Sequence, residues 1–249
     1  MLHETAQAPP LLRFASLAGL PGIVHAVTTK AGGVSVGAFA GLNLGAAVGD
    51  DPAAVARNLQ IVREALGLKR LVWAKQVHGA ELVAVEDGSA GAVGTADGLA
   101  TDQPGVGLLI KQADCQAVVL AAPARGVVAN LHAGWRGNLL GMARRGVEFL
   151  RERYGVRPEE IHAAVSPSLG PCCAEFVHWR RELGPAFAPY QVGANHFDLW
   201  RVSVDQLTAA GVPAGQIEVS GLCTKCGAEF FSYRREGLTG RFGTVVALA

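Results

Sequence analysis

Three apolar runs at residues 106–110 (VGLLI), 117–121 (AVVLA) and 127–131 (VVANL) follow one another closely, and none of them carries a charge. Runs this short are strands rather than helices, and a strand that is apolar almost throughout must be buried on both faces. Burial on both faces needs material packed over each side of the sheet, which confines the chain to layered architectures. Further strand-like runs at 23–29, 71–77, 81–85, 161–165, 217–219 and 244–248 alternate with helical stretches. Asp51-Pro52 opens a helix, because Asp caps the first free N–H groups and Pro suits the first helical position. Val55, Leu59, Val62 and Leu66 then share one face, and Gly67 ends it. Residues 138–154 predict a second helix, with Leu139, Ala143, Val147, Leu150 and Tyr154 on one side and Gly155 as its stop. Two more are expected near 174–183 and 199–210. The expected fold is α+β (mixed α/β): a single domain over residues 1–249, with layered β-sheets covered by helices. The order of the strands is not readable.

Composition narrows the function. A chain of 249 residues buries roughly 70–75% of its unfolded surface, enough for a core without disulfides. The 32 glycines and 12 prolines are spread evenly and mark turns, not a linker. Lys and Arg number 22 against 21 Asp and Glu, a net charge of +1, so no electrostatic footprint for nucleic acid or an acidic membrane exists. No run approaches the ~18 apolar residues of a membrane span, and the N-terminal sequence lacks the charged-then-apolar order of a signal peptide. A cytoplasmic protein is expected, and with no amphipathic seam a monomer. Five cysteines, with Cys172 and Cys173 adjacent, do not make a disulfide framework. Reduced thiols with metal or catalytic roles become the question.

Cys115 and His132 stand at the ends of consecutive strands beside turn residues, and His78 follows the 71–77 strand directly before Gly79. Strand ends followed by glycine are where scaffolds present functional groups. One Cys and two His suit zinc or copper, and three protein ligands leave the open position of a catalytic site. Spacing alone leaves two other readings open: a buried thiol with unrelated turn histidines, or a Cys–His hydrolase in which Cys115 is the nucleophile and His132 the base.

Five segments carry a resemblance: Gln76-Val77-His78-Gly79, Ala113-Asp114-Cys115, His132-Ala133-Gly134-Trp135-Arg136-Gly137, Gly170-Pro171-Cys172-Cys173 and Phe231-Ser232-Tyr233-Arg234-Arg235. With Thr28-Thr29-Lys30-Ala31-Gly32-Gly33-Val34-Ser35 and Leu42-Asn43-Leu44-Gly45, they resemble, in order, the motifs of the multicopper polyphenol oxidase (laccase-like) family. The resemblance implies that His78, Cys115 and His132 are the ligands of one zinc ion, with copper as the other ion the family name suggests. It also implies phosphorolysis of adenosine, inosine and methylthioadenosine, and hydrolytic deamination of adenosine. The partners would then be a purine nucleoside and phosphate. Relatives described as peptidoglycan editing factors would make the substrate a muropeptide. Phenol oxidation ranks lower, since one Cys and two His are too few ligands for a multicopper cluster. The chain departs from the family pattern at Gln116-Ala117, Ala174, Lys30 and Leu59. The last two replace guanidinium forks, leaving at Lys30 only a point charge.

Around this set, Arg136 is expected to hold phosphate or a purine edge, together with the Gly32-Gly33 loop. Asn43 and Gln76 are candidate readers of a purine or ribose edge, and Trp135 a stacking surface. Asp114 is weighed as an orienting group, and Arg234 and Arg235 as anion contacts, each against a solvated surface role. The His-x-Glu and Pro-Cys-x-x-Cys pattern of cytidine-type deaminases is absent, so no proton-transfer residue is assigned. Cys223-Thr224-Lys225-Cys226 with Cys172-Cys173 invites a four-thiolate zinc reading, but the resemblance favours packed thiols. His25 reads as a packed strand histidine. The site is expected on turns at one sheet edge.

Overall fold

Consecutive side chains of a strand leave by opposite faces, and the burial of both faces here produces four layers. The computed structural model describes residues 2–4, 9–86 and 88–249. Strands are numbered in chain order. The first sheet runs β1 (Leu2–Glu4), β2 (Leu11–Phe14), β3 (Ile23–Thr28), β13 (Phe242–Leu248), β8 (Val106–Gln112), β4 (Arg70–Lys75), β6 (Gly91–Thr95). The second runs β12 (Ile217–Val219), β11 (His162–Val165), β9 (Gln116–Ala122), β10 (Val127–Ala133), β7 (Gly98–Thr101), β5 (Leu82–Ala84). Both are mixed: β4 is parallel to β6 and β8, β5 to β7, and β11 to β12, while the other pairs are antiparallel.

Between the sheets, Val27, Val72, Leu108 and Val246 of the first meet Leu99, Val119, Val128 and Ala164 of the second. On the far side of the second sheet, Val118, Leu120, Ala129 and Leu131 lie under helices α4 (Met142–Tyr154) and α6 (Leu199–Ala209). On the far side of the first, Leu109, Val245 and Ala247 lie under α2 (Pro52–Ala65), through Val62 and the following Leu66. Each fully buried Leu or Val contributes about 1.5–3 kcal/mol, so strands apolar on both faces are what this layering needs. Among the buried polar residues described, Asn130 bridges the two sheets. Asn130 of β10 donates from Nδ2 to the carbonyls of Leu108 (2.9 Å) and Thr244 (2.8 Å), tying the second sheet to β8 and β13 of the first.

Several elements differ from their sequence pattern. The helix expected over 138–154 is two helices, α3 (Trp135–Leu139) and α4, because Gly141 between them takes φ +74°. Over 174–183 only α5 (Trp179–Glu182) is helical. The backbone before it pairs elsewhere: Phe176 N–H donates to Asn195 and Phe197 N–H to Ala174. Phe176, Trp179, Phe187 and Phe197 pack there as a separate apolar cluster. Strands β1, β2, β6 and β7 were not expected, and β7 is preceded directly by Asp97, which contacts His132. Two further short helices are α1 (Ala15–Ala18) and α7 (Tyr233–Glu236).

Candidate metal centre and its cavity

His78 follows β4 of the first sheet, Cys115 lies where the chain crosses from β8 to β9, and His132 is within β10, paired with Ala117. His78 and Cys115 therefore lie on connecting turns as expected, but His132 lies within a strand, and the site spans both sheets rather than one sheet edge. Antiparallel pairing of β9 with β10 sets Gln116 opposite Ala133, which brings Cys115 beside His132. The ligating atoms of His78, Cys115 and His132 all lie within 4.8 Å of one another. The two imidazoles meet edge to face, with centroids 4.9 Å apart. His132 is buried, Cys115 half-buried and His78 exposed, so the set runs from interior to surface.

One carboxylate organises both histidines. Asp97, fully buried before β7, lies 2.8 Å from His132 Nδ1, which leaves Nε2 for the site. The same carboxylate accepts the successive N–H groups of Val77 (3.2 Å), His78 (2.9 Å) and Gly79 (2.7 Å). Converging backbone N–H groups of this kind form an anion nest, and this nest holds His78 at φ +60°. The second non-glycine residue with positive φ among the described residues is Asp114, at +89°, immediately before Cys115. Its carboxylate accepts from Thr224 Oγ1 (2.7 Å), Ser232 Oγ (2.7 Å) and the Arg234 N–H (2.6 Å). Asp114 thus anchors the loop that presents Cys115 to the start of α7. Strained backbone gathered at one place marks a functional site.

The electrostatics follow from this packing. Burial pushes the Cys115 thiol up, but His132 and His78 outweigh it and bring it down to about 6. Burial pushes His132 down, while the Cys115 thiolate and Asp97 carry it up to about 9. Burial raises Asp97, and hydrogen bonds from His132 and the nest more than reverse it. Gly134 explains itself by the same crowding: a Cβ there would lie 2.8 Å from Cys115 Sγ and 3.3 Å from His78 Cδ2.

The three residues form part of the wall of a cavity of about 640 Å³. Arg136 lines it, exposed, its guanidinium 4.2 Å from the Trp135 ring centroid, and it makes no ion pair among the described residues. Gln76 also lines it, but both ends of its amide are bound to the Lys111 backbone, at 2.8 and 3.0 Å. Asn43 is not brought to the wall. It is fully buried, and its Oδ1 accepts from the N–H groups of Gly45 (2.9 Å) and Arg241 (2.7 Å), both of which are wall residues. The Gly32-Gly33 loop packs on Pro9 and residues 41–42, also away from the wall. Arg234 lines the cavity while donating to the carbonyls of Cys173 and Glu175, whereas Arg235 is spent on carbonyls of its own loop. His25 lies in β3, with Nε2 accepting the Phe14 N–H.

Sequence reasoning missed Asp97, Lys111, Arg241 and Tyr233. Lys111 lines the cavity, and burial brings its ammonium down to about 8. Arg241 and Tyr233 come from chain segments more than a hundred residues away in sequence, and only the fold brings them to Cys115.

Residues 24–249 match the profile of the family described as multi-copper polyphenol oxidoreductase laccase. "Purine nucleoside phosphorylase YlmD" of Geobacillus stearothermophilus is 40% identical over 88% of either chain. "Purine nucleoside phosphorylase" of Deinococcus radiodurans is 40% identical over 98% of this chain and 95% of that one. Among solved structures, that of YlmD from Geobacillus stearothermophilus superposes with a TM-score of 0.90 at 36% identity, covering 99% of this chain and 98% of the other. That of the Bacillus licheniformis hypothetical protein YfiH also gives 0.90, at 32% identity and 99% coverage of both.

Proposed function

The chain belongs to the multi-copper polyphenol oxidoreductase laccase family, and on that premise we propose that it is a purine nucleoside phosphorylase that also deaminates adenosine, using one zinc ion. The observation that carries this reading is the meeting, around one cavity, of the Cys115, His78 and His132 set with Arg136, Lys111 and Arg241. A volume of about 640 Å³ falls in the range of small-molecule sites. Trp135, Phe176 and Tyr233 supply faces for a flat purine. The guanidinium of Arg136, lying on Trp135, presents a fork to an oxyanion such as phosphate.

The donor chemistry fits zinc: one thiolate, two imidazoles, and the His132–Asp97 contact that typically fixes the tautomer of a metal-ligating histidine. When bound, zinc supplies Lewis acidity and brings the pKa of water toward neutrality. The same donors suit copper, but three ligands in one site fall short of a multicopper cluster. The chain's own residues do the rest: His78, Cys115 and His132 hold the ion, Asp97 fixes their orientation, and Arg136 binds phosphate in reach of the ribose. Adenosine, inosine and methylthioadenosine are the nucleosides proposed for phosphorolysis.

The test compares the two reactions. Losing an interaction with a charged partner costs ~1.5–3 kcal/mol, so Arg136→Ala is expected to slow inosine phosphorolysis by about 10–100-fold. Adenosine deamination, which needs no phosphate, should change far less. Equal losses would assign Arg136 to the nucleoside or the fold. A second reading has its own observation: Asp97, His132 and Cys115 in sequence also describe a thiol–imidazole hydrolase. Stoichiometric zinc that is lost on Cys115→Ser selects the phosphorylase reading, and a metal-free protein alkylated at Cys115 the hydrolase.

A further inference from the structure

We propose that Cys172, Cys173, Cys223 and Cys226 form a second metal site, a tetrathiolate that takes zinc. The four Sγ atoms come from two segments some fifty residues apart and all lie within 4.8 Å of one another. Cys226 Sγ is 3.7 Å from that of Cys172 and 3.5 Å from that of Cys173. Zinc binds thiolates at about 2.3 Å in a tetrahedron, whose edges are then about 3.8 Å; the two separations from Cys226 match such edges. They do not match a disulfide, which holds its sulfurs at about 2.05 Å.

Packed thiols are the alternative the sequence favoured, and the placement argues against them. Unligated cysteine behaves as a small buried hydrophobe, yet Cys172 and Cys226 are exposed and the other two only half-buried. The backbone is arranged for convergence. Ser168 bridges to Cys223 in parallel, and the Thr224 N–H donates to the Ser168 carbonyl at 3.0 Å, locking the two segments side by side. The Gly170 N–H donates to Cys223 Sγ at 3.3 Å, the contact by which surrounding groups support a metal-bound thiolate.

The site would act as a clamp on the catalytic cavity. Arg234 donates to the carbonyl of Cys173, and Arg235 to those of Thr224 and Lys225, so consecutive arginines of α7 hold one thiol segment each. Thr224, between the two ligands of the second segment, donates to Asp114, the neighbour of Cys115. A metal across the thiols therefore fixes the loops that carry Tyr233 and Arg234 and anchors the residue before Cys115.

Metal analysis of the full chain decides the matter. Zinc-grown protein is expected to hold two zinc ions per chain, and Cys223→Ser with Cys226→Ser to hold one less while keeping its fold. Cys115→Ser should lose the other ion. If the cavity holds no zinc, the wild type holds one ion, still lost in the CxxC variant; the proposal then stands and the metal reading of the cavity falls. Unchanged metal content in the CxxC variant overturns it. Should that variant not fold, cobalt exchange into the wild type replaces it: the charge-transfer absorption of four thiolates is expected, and that of a single thiolate overturns the proposal. A non-reduced mass lighter by two hydrogens per cysteine pair shows disulfides, and overturns it too.

Discussion

Asp97 does the most with one side chain. It holds the His132 ring and, through three backbone N–H groups, the His78 main chain. Asp97→Asn keeps the size but not the charge, and loss of such an orienting partner typically weakens metal binding 10–100-fold. Competition against a chromophoric chelator measures this, and unchanged affinity would mean that packing alone orients His132. The residues that touch the centre were legible because Cys115, His78 and His132 stand beside turns and glycines in a recognisable order. Asp97 was not, since in Thr95-Ala96-Asp97-Gly98 an aspartate before glycine reads as an ordinary turn. Its role depends on β7 and β10 pairing, which places it against His132. Lys111 was hidden for another reason: a lysine ending an apolar strand looks solvated until burial of its neighbours is known.

At the level of elements, strands declared themselves where both faces are apolar, as in β8, β9 and β10. They were silent where the run is short or carries few large apolar residues, as in β6 (GAVGT) and β7 (GLAT). The helical repeat continued smoothly through Gly141, so the break between α3 and α4 had no periodic signature. That break is a backbone requirement, since Gly141 holds φ +74° and ψ +37°. An added Cβ would meet only the far end of Arg144, at 3.4 Å, so Gly141→Ala isolates the conformational cost. A left-handed alanine costs about 1–2 kcal/mol, partly offset by a stiffer unfolded chain, and a net loss of about 1 kcal/mol is expected in urea unfolding. No loss would mean that the two helices fuse without strain.

At the scale of the whole molecule, His25 is a buried titratable group outside the centre. His25 of β3 sits opposite Val246 of β13, and burial, followed by the nearby Arg13 charge, brings it down to about 4 from an ordinary 6.5. Above pH ~6.5 the folded and unfolded chains are both neutral there and the group has no effect. As pH falls from 6.5 towards about 4, only the unfolded chain takes up the proton, and stability drops by a total on the order of 3 kcal/mol. Below that the loss levels off. His25→Gln retains an acceptor for the Phe14 N–H and should flatten this part of the urea midpoint against pH; an unchanged slope would place the acid sensitivity among the centre's own ligands. The position of β13 has a consequence for biosynthesis. It lies between β3 and β8, both made long before it. At ~5–20 residues per second, the interval between β8 and β13 is on the order of ten seconds. Until residues 242–248 emerge, β3 and β8 lack the strand that each pairs with in the finished sheet, and an edge without its partner is open to pairing with another extended polypeptide.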